Sequence, residues 1–108
     1  MSYIDELKHA IRREHGCEAE HAATVPVREV FQGQSVWDGA VEVFEVRGHA
    51  QARRCFAWAH TEEGELEARY FTVLELPPID SPQTAVKAAL LREIKAAQLE
   101  RGSQQARA

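Results

Sequence analysis

The residue types that perform chemistry are present in this chain, but they are not spaced for it. His9, His15, Cys17 and His21 fall close together near the N-terminus. Imidazole and thiolate are zinc ligands, and zinc sites often draw on close ligand pairs. The spacing His-x-Cys-x3-His matches no strong metal pattern. On one helix His9 and Cys17 lie too far apart to share an ion with the others unless the chain turns back at Gly16. Solvated histidines near a helix end, where positive charge is favoured, are the simpler reading.

Cys55 stands beside Arg54, and positive charge lowers a thiol pKa. Neighbours in a strand point to opposite faces, so Arg54 is badly placed to help Cys55, and His60 also faces the other way. A buried structural cysteine is the expectation. Among the serines, Ser2 and Ser81 read as helix caps, Ser103 lies in the C-terminal tail, and Ser35 has no recognisable nucleophile elbow. The six glycines are all isolated, so no phosphate loop is present. With 17 acidic residues, chance carboxylate pairs carry no information. The sequence therefore predicts no catalytic residue, no metal and no cofactor, and it leans away from an enzyme.

Arginines recur at Arg28, Arg47, Arg53, Arg54 and Arg69, with Trp37, Phe56 and Trp58 nearby. Those are the ingredients of a surface that stacks bases and holds phosphates. Arg47, Arg53 and Arg54 are the candidate phosphate contacts of that reading. The order helix, meander, helix is similar to that of the double-stranded-RNA-binding domain. That domain has three strands where four are expected here. Its last helix opens with a lysine cluster, where this chain has Ser81-Pro82-Gln83-Thr84-Ala85-Val86-Lys87. No functional residue is carried over. A solvated arginine face interleaved with Glu29, Glu42, Glu45, Glu67 and Glu75 is the bland alternative.

The totals set the frame. A chain of 108 residues is the size of one domain. Apolar residues make up 44% and charged residues 28%, which argues against wholesale disorder. The formal charge of −4 lowers the prior for non-specific nucleic-acid binding. Two cysteines, an N-terminal stretch interrupted by Asp5, Glu6 and Lys8, and the lack of a long apolar run predict reduced thiols, no signal peptide and no membrane span. A cytoplasmic protein is the expectation.

The elements that must position these residues read as follows. Ser2 caps a helix over 2–15, its stripe is Ile4, Leu7 and Ile11, and Gly16 stops it. Residues 17–24 read as a connector. Residues 25–37 are β-favouring, with Gly33 as a bend. Asp38-Gly39 is the strongest hairpin signal. Strands follow over 40–47, 53–60 and 66–76, the last two joined by a turn at Glu63-Gly64. Ser81-Pro82 opens a final helix whose stripe is Val86, Leu90, Ile94 and Ala97, widened by Ala89 and Leu91, and Gly102 ends it. The fold class is α+β, one domain over 1–101 in the order α-β-β-β-β-α, with a disordered tail over 102–108.

One feature is unusual. The third strand sets Cys55, Ala57 and Ala59 on one face and Phe56 and Trp58 on the other. The second and fourth strands are likewise apolar on both sides. A sheet covered on one face should alternate apolar and polar. Small residues on one side would let a helix approach closely, and the aromatic side would then need its own cover. Either the helices and loops supply that cover within one chain, or Trp37, Phe44, Phe56, Trp58 and Phe71 form a surface for a second copy or another protein. A non-enzymatic interaction module is the leading expectation, and nucleic-acid binding through the arginines is the alternative.

Overall fold

A computed structural model describes residues 2–61 and 64–106, with side chains as far as Leu99. The chain folds as α1 (Tyr3–His15), β1 (Glu18–Phe31), β2 (Gln34–Arg47), β3 (Arg54–His60), β4 (Arg69–Leu74) and α2 (Pro82–Ala106). The four strands form one antiparallel sheet in the order β1-β2-β3-β4. The predicted α+β class and element order are those of the structure.

The helix ends are set by local chemistry. The Asp5 amide donates to the Ser2 hydroxyl oxygen at 3.2 Å, satisfying one of the orphan donors of α1. Gly16 adopts the left-handed conformation and its N–H closes on the Arg12 carbonyl at 2.8 Å. Ser81 caps α2 by accepting from the Thr84 amide at 3.2 Å, with Pro82 at the first helical position. α2 does not stop at Gly102 but runs on to Ala106. A helical glycine costs about 1 kcal/mol relative to alanine, which weakens a helix without ending it.

Three strand expectations are corrected. The stretch 17–24 is not a connector, because β1 starts at Glu18 and pairs with the far end of β2, Glu18 against Arg47 and His21 against Phe44. Pairing overrides the weak β-propensity of Ala and Glu here. The hairpin is not at Asp38-Gly39. Its two turn residues are Gln32 and Gly33, both at positive φ (51° and 78°), as a two-residue primed turn requires. Asp38 and Gly39 lie inside β2, opposite Arg28 and Val27. Gly39 serves packing instead: a Cβ there would come within 3.1 Å of the Trp37 ring. β4 is shorter than expected, since β3 ends at His60, opposite Arg69, and offers Leu66 no partner. The turn expected at Glu63-Gly64 has Glu63 outside the described residues, as are 107–108 of the tail.

Each face of the sheet has its own helix. α1 packs Leu7 and Ile11 onto Cys17, Phe44, Val46, Cys55 and Ala57. The small side chains of β3 are on this side, as close approach of a helix requires. α2 packs Ala85 and Val86 onto Val27, Val41, Val43, Phe56 and Trp58. Among these aromatics, Trp58 meets Trp37 at 72° and lies parallel to Phe71.

Candidate functional site

The expected aromatic surface is largely interior. Phe44, Phe56 and Trp58 are buried within a single chain, Phe44 under α1 and the other two under α2. Trp37 and Phe71 are half-buried and pack against the α2-side core. Two amphipathic helices, one per face, hide a two-sided apolar sheet. The sheet face is therefore not the open surface that its apolar pattern suggests.

Arg47, Arg53 and Arg54 lie at one end of the β2–β3 hairpin, where Glu45 faces Arg54. Arg47 lies 3.4 Å from Glu20, and Arg54 lies 3.9 Å from Glu75. Arg69 pairs with Glu93 of α2 at 3.3 Å and stands over the Phe71 ring. Arg53 is exposed. Exposed pairs of this kind add about 0–1 kcal/mol each and leave the surface charge mixed.

The histidine and cysteine cluster disperses. His15 Nε2 is 2.9 Å from the Thr72 hydroxyl and 3.2 Å from its carbonyl. His21 lies 2.9 Å from buried Glu42, which also accepts from the Thr24 hydroxyl. Cys17 and Cys55 are free thiols inside the α1-side core. Burial, with Cys17 nearby, pushes the Cys55 thiol up to about 12, and burial raises Cys17 as well. Both directions oppose a nucleophilic thiolate. Tyr3 is used structurally, its hydroxyl oxygen accepting from the Ala59 amide at 3.0 Å. No three metal-ligating side chains gather among the described residues.

What the fold leaves open lies elsewhere. Between Glu29 and Val30 the β1–β2 register shifts: Glu29 faces Trp37, but Val30 faces Ser35. Val36 is thus the extra residue of a bulge, a local feature that re-aims side chains. Val30, Phe31 and Val36 at the hairpin tip then line a groove with Leu90, Leu91 and Ile94 of α2, about 460 Å³ in volume. Phe31 is 65% exposed, Leu91 58%, Ile94 53% and Val36 49%. Glu29 and Lys87 form its polar end, with Nζ 3.8 Å from Oε1. Sequence reasoning gave these residues elements but no role. The usable signal was Leu91 beside Leu90, which makes the apolar stripe of α2 too wide for one sheet face.

No protein-family model, curated protein or solved structure matches the chain. Among the described residues no helix is long and apolar enough to cross a membrane.

Proposed function

We propose that this protein is a non-enzymatic interaction module that self-associates through the groove between its β1–β2 hairpin tip and α2. The observation that carries this reading is the set Phe31, Val36, Leu91 and Ile94, each about half exposed or more and all lining one groove. Contiguous apolar surface of this kind usually marks an interface. Fully burying such a side chain stabilises by about 1.5–3 kcal/mol, so covering the remaining half of four recovers several kcal/mol per protomer.

A second copy of the chain is the occupant in this reading. Leu91 and Ile94 of α2 line the groove opposite the hairpin tip. Beyond Leu90 no described α2 residue belongs to either core, although the helix continues to Ala106.

Sedimentation equilibrium tests the reading. The expected result is a reversible dimer, and a monomer for Leu91→Glu combined with Ile94→Glu, with an unchanged circular dichroism spectrum. A wild-type chain that stays monomeric at the highest soluble concentration would falsify it.

A further inference from the structure

β4 is an edge strand, paired with β3 and with no other strand. Its edge is the floor of a groove of about 430 Å³, lined by all of residues 69–73. Successive side chains of a strand point to opposite faces, so five residues in a row line a groove only along the backbone edge. One rung beyond the β3–β4 pairs, the Glu75 amide donates to the Arg54 carbonyl at 2.9 Å. Bonding groups alternate along an antiparallel strand. Arg69, Phe71 and Val73 therefore turn their N–H and C=O groups to β3, and Tyr70 and Thr72 turn theirs outward. His15 of α1 agrees with that direction, its Nε2 standing 3.2 Å from the Thr72 carbonyl. The Tyr70 N–H and C=O and the Thr72 N–H meet no partner among the described residues.

Both helices flank this edge. Glu14 of α1 lines the groove from one face of the sheet, and Ala88, Arg92 and Ala96 of α2 line it from the other. Residues four apart form one row along a helix, and here two of the three are alanines. Small side chains beside an open edge leave room for another strand at the usual spacing of about 4.8 Å. Among the charged groups of the groove, Glu93 pairs with Arg69 and Glu14 with Arg13. Arg92 is exposed, and no described carboxylate pairs with it. We propose that this groove binds an extended, acidic peptide segment of a partner protein, added to β4 as a fifth strand. Main-chain hydrogen bonds to Tyr70 and Thr72 hold the segment, and a carboxylate on it meets Arg92. The Thr72 carbonyl has a second lone pair, so His15 can stay in place. The floor is about 13 Å long, which suits about five residues. A second copy of the chain fits less well. Its β4 is flanked by its own α1 and α2, so two such edges meet helix against helix before strand reaches strand. The site lies across α2 from Leu91 and Ile94 and goes beyond the self-association proposed above.

Panning the full chain against displayed random heptapeptides tests it, with the enriched sequences synthesised with capped ends and titrated by fluorescence anisotropy. The expected sequences are acidic. Arg92→Glu raises their Kd about tenfold, and Tyr70→Pro does so by about tenfold or more, since it removes an outward N–H where an edge strand tolerates proline. Methylating the peptide amides one at a time gives an alternating loss, because every second amide faces β4. Leu91→Glu with Ile94→Glu leaves the binding unchanged. Should Tyr70→Pro fail to fold, the methylation scan decides in its place. No enrichment, enriched sequences without Asp or Glu, or a scan that does not alternate overturns the proposal. A wild-type dimer that Tyr70→Pro abolishes, with no peptide selected, overturns it in favour of a second copy on β4.

Discussion

Glu42 and Glu29 are both buried carboxylates on strands, and they differ in what meets them. Glu42 is met by His21 at 2.9 Å and by the Thr24 hydroxyl, so its charge is satisfied where it stands. Glu29 has only a distant ammonium. The two thiols are structural in the stronger sense that their surroundings suppress ionisation. Cys55 is pushed up to about 12 by burial and by neighbouring Cys17, from an ordinary value near 9. The sign of the consequence follows from proton linkage. Above the ordinary thiol pKa the unfolded chain has lost this proton while the folded chain keeps it, so stability falls as pH rises. The contribution is fully present below about pH 9 and is lost progressively towards pH 12, on the order of 3–4 kcal/mol in all. Urea unfolding measured at a series of alkaline pH values checks this. Cys55→Ala is expected to be less stable at neutral pH, through its lost volume, and to show a flatter alkaline decline. An equally steep decline in the variant would mean that other groups cause it.

At the scale of elements, the parts written in local chemistry were legible. Ser2, Gly16, Ser81 and Pro82 bound their helices as their side chains and backbones dictate. The strands at β3 and β4 followed from β-favouring residues between polar turns. Long-range choices were not legible. Asp38-Gly39 is the better turn dipeptide, yet Gln32-Gly33 makes the turn, because only that register pairs Glu18 with Arg47 at the other end and leaves Gly39 beneath the Trp37 ring. The site was missed for a related reason. Whether a two-sided sheet is covered depends on which face each helix takes, and periodicity does not encode that. The turn itself yields a prediction. Gln32 is the only non-glycine residue at positive φ among the described residues. A left-handed conformation costs a side-chain-bearing residue roughly 1 kcal/mol, and asparagine tolerates it better. Gln32→Asn is expected to stabilise the chain by about 0.5–1 kcal/mol, read as a higher urea midpoint with an unchanged slope. A lower midpoint would mean that the glutamine side chain contributes a contact of its own.

At the scale of the whole molecule, shape points the same way as exposure. The Cα radius of gyration is 15.4 Å and the extents are 48 × 32 × 31 Å. A compact chain of this length has a radius of gyration of about 13 Å. Leu90 is the last described α2 residue that packs in the core, and a 25-residue helix is about 37 Å long, longer than the two short extents. Within one chain this helix is held by Ala85, Val86, Ala89 and Leu90 and by the Glu93–Arg69 pair; the self-association proposed above would add cover to its outer face. Mass action then links folding to concentration: whatever binds the folded state and not the unfolded one raises the apparent stability. On that reading the urea midpoint of the wild-type chain is expected to rise with protein concentration, by about 0.7 kcal/mol of apparent stability per chain (about 1.4 per dimer) for each tenfold increase above the dimer Kd. Leu91→Glu with Ile94→Glu is expected to lose that dependence while keeping the dilute-limit midpoint, because both side chains already face solvent in the free chain. A wild-type midpoint that stays constant across the accessible range would show that α2 is held by its own sheet alone.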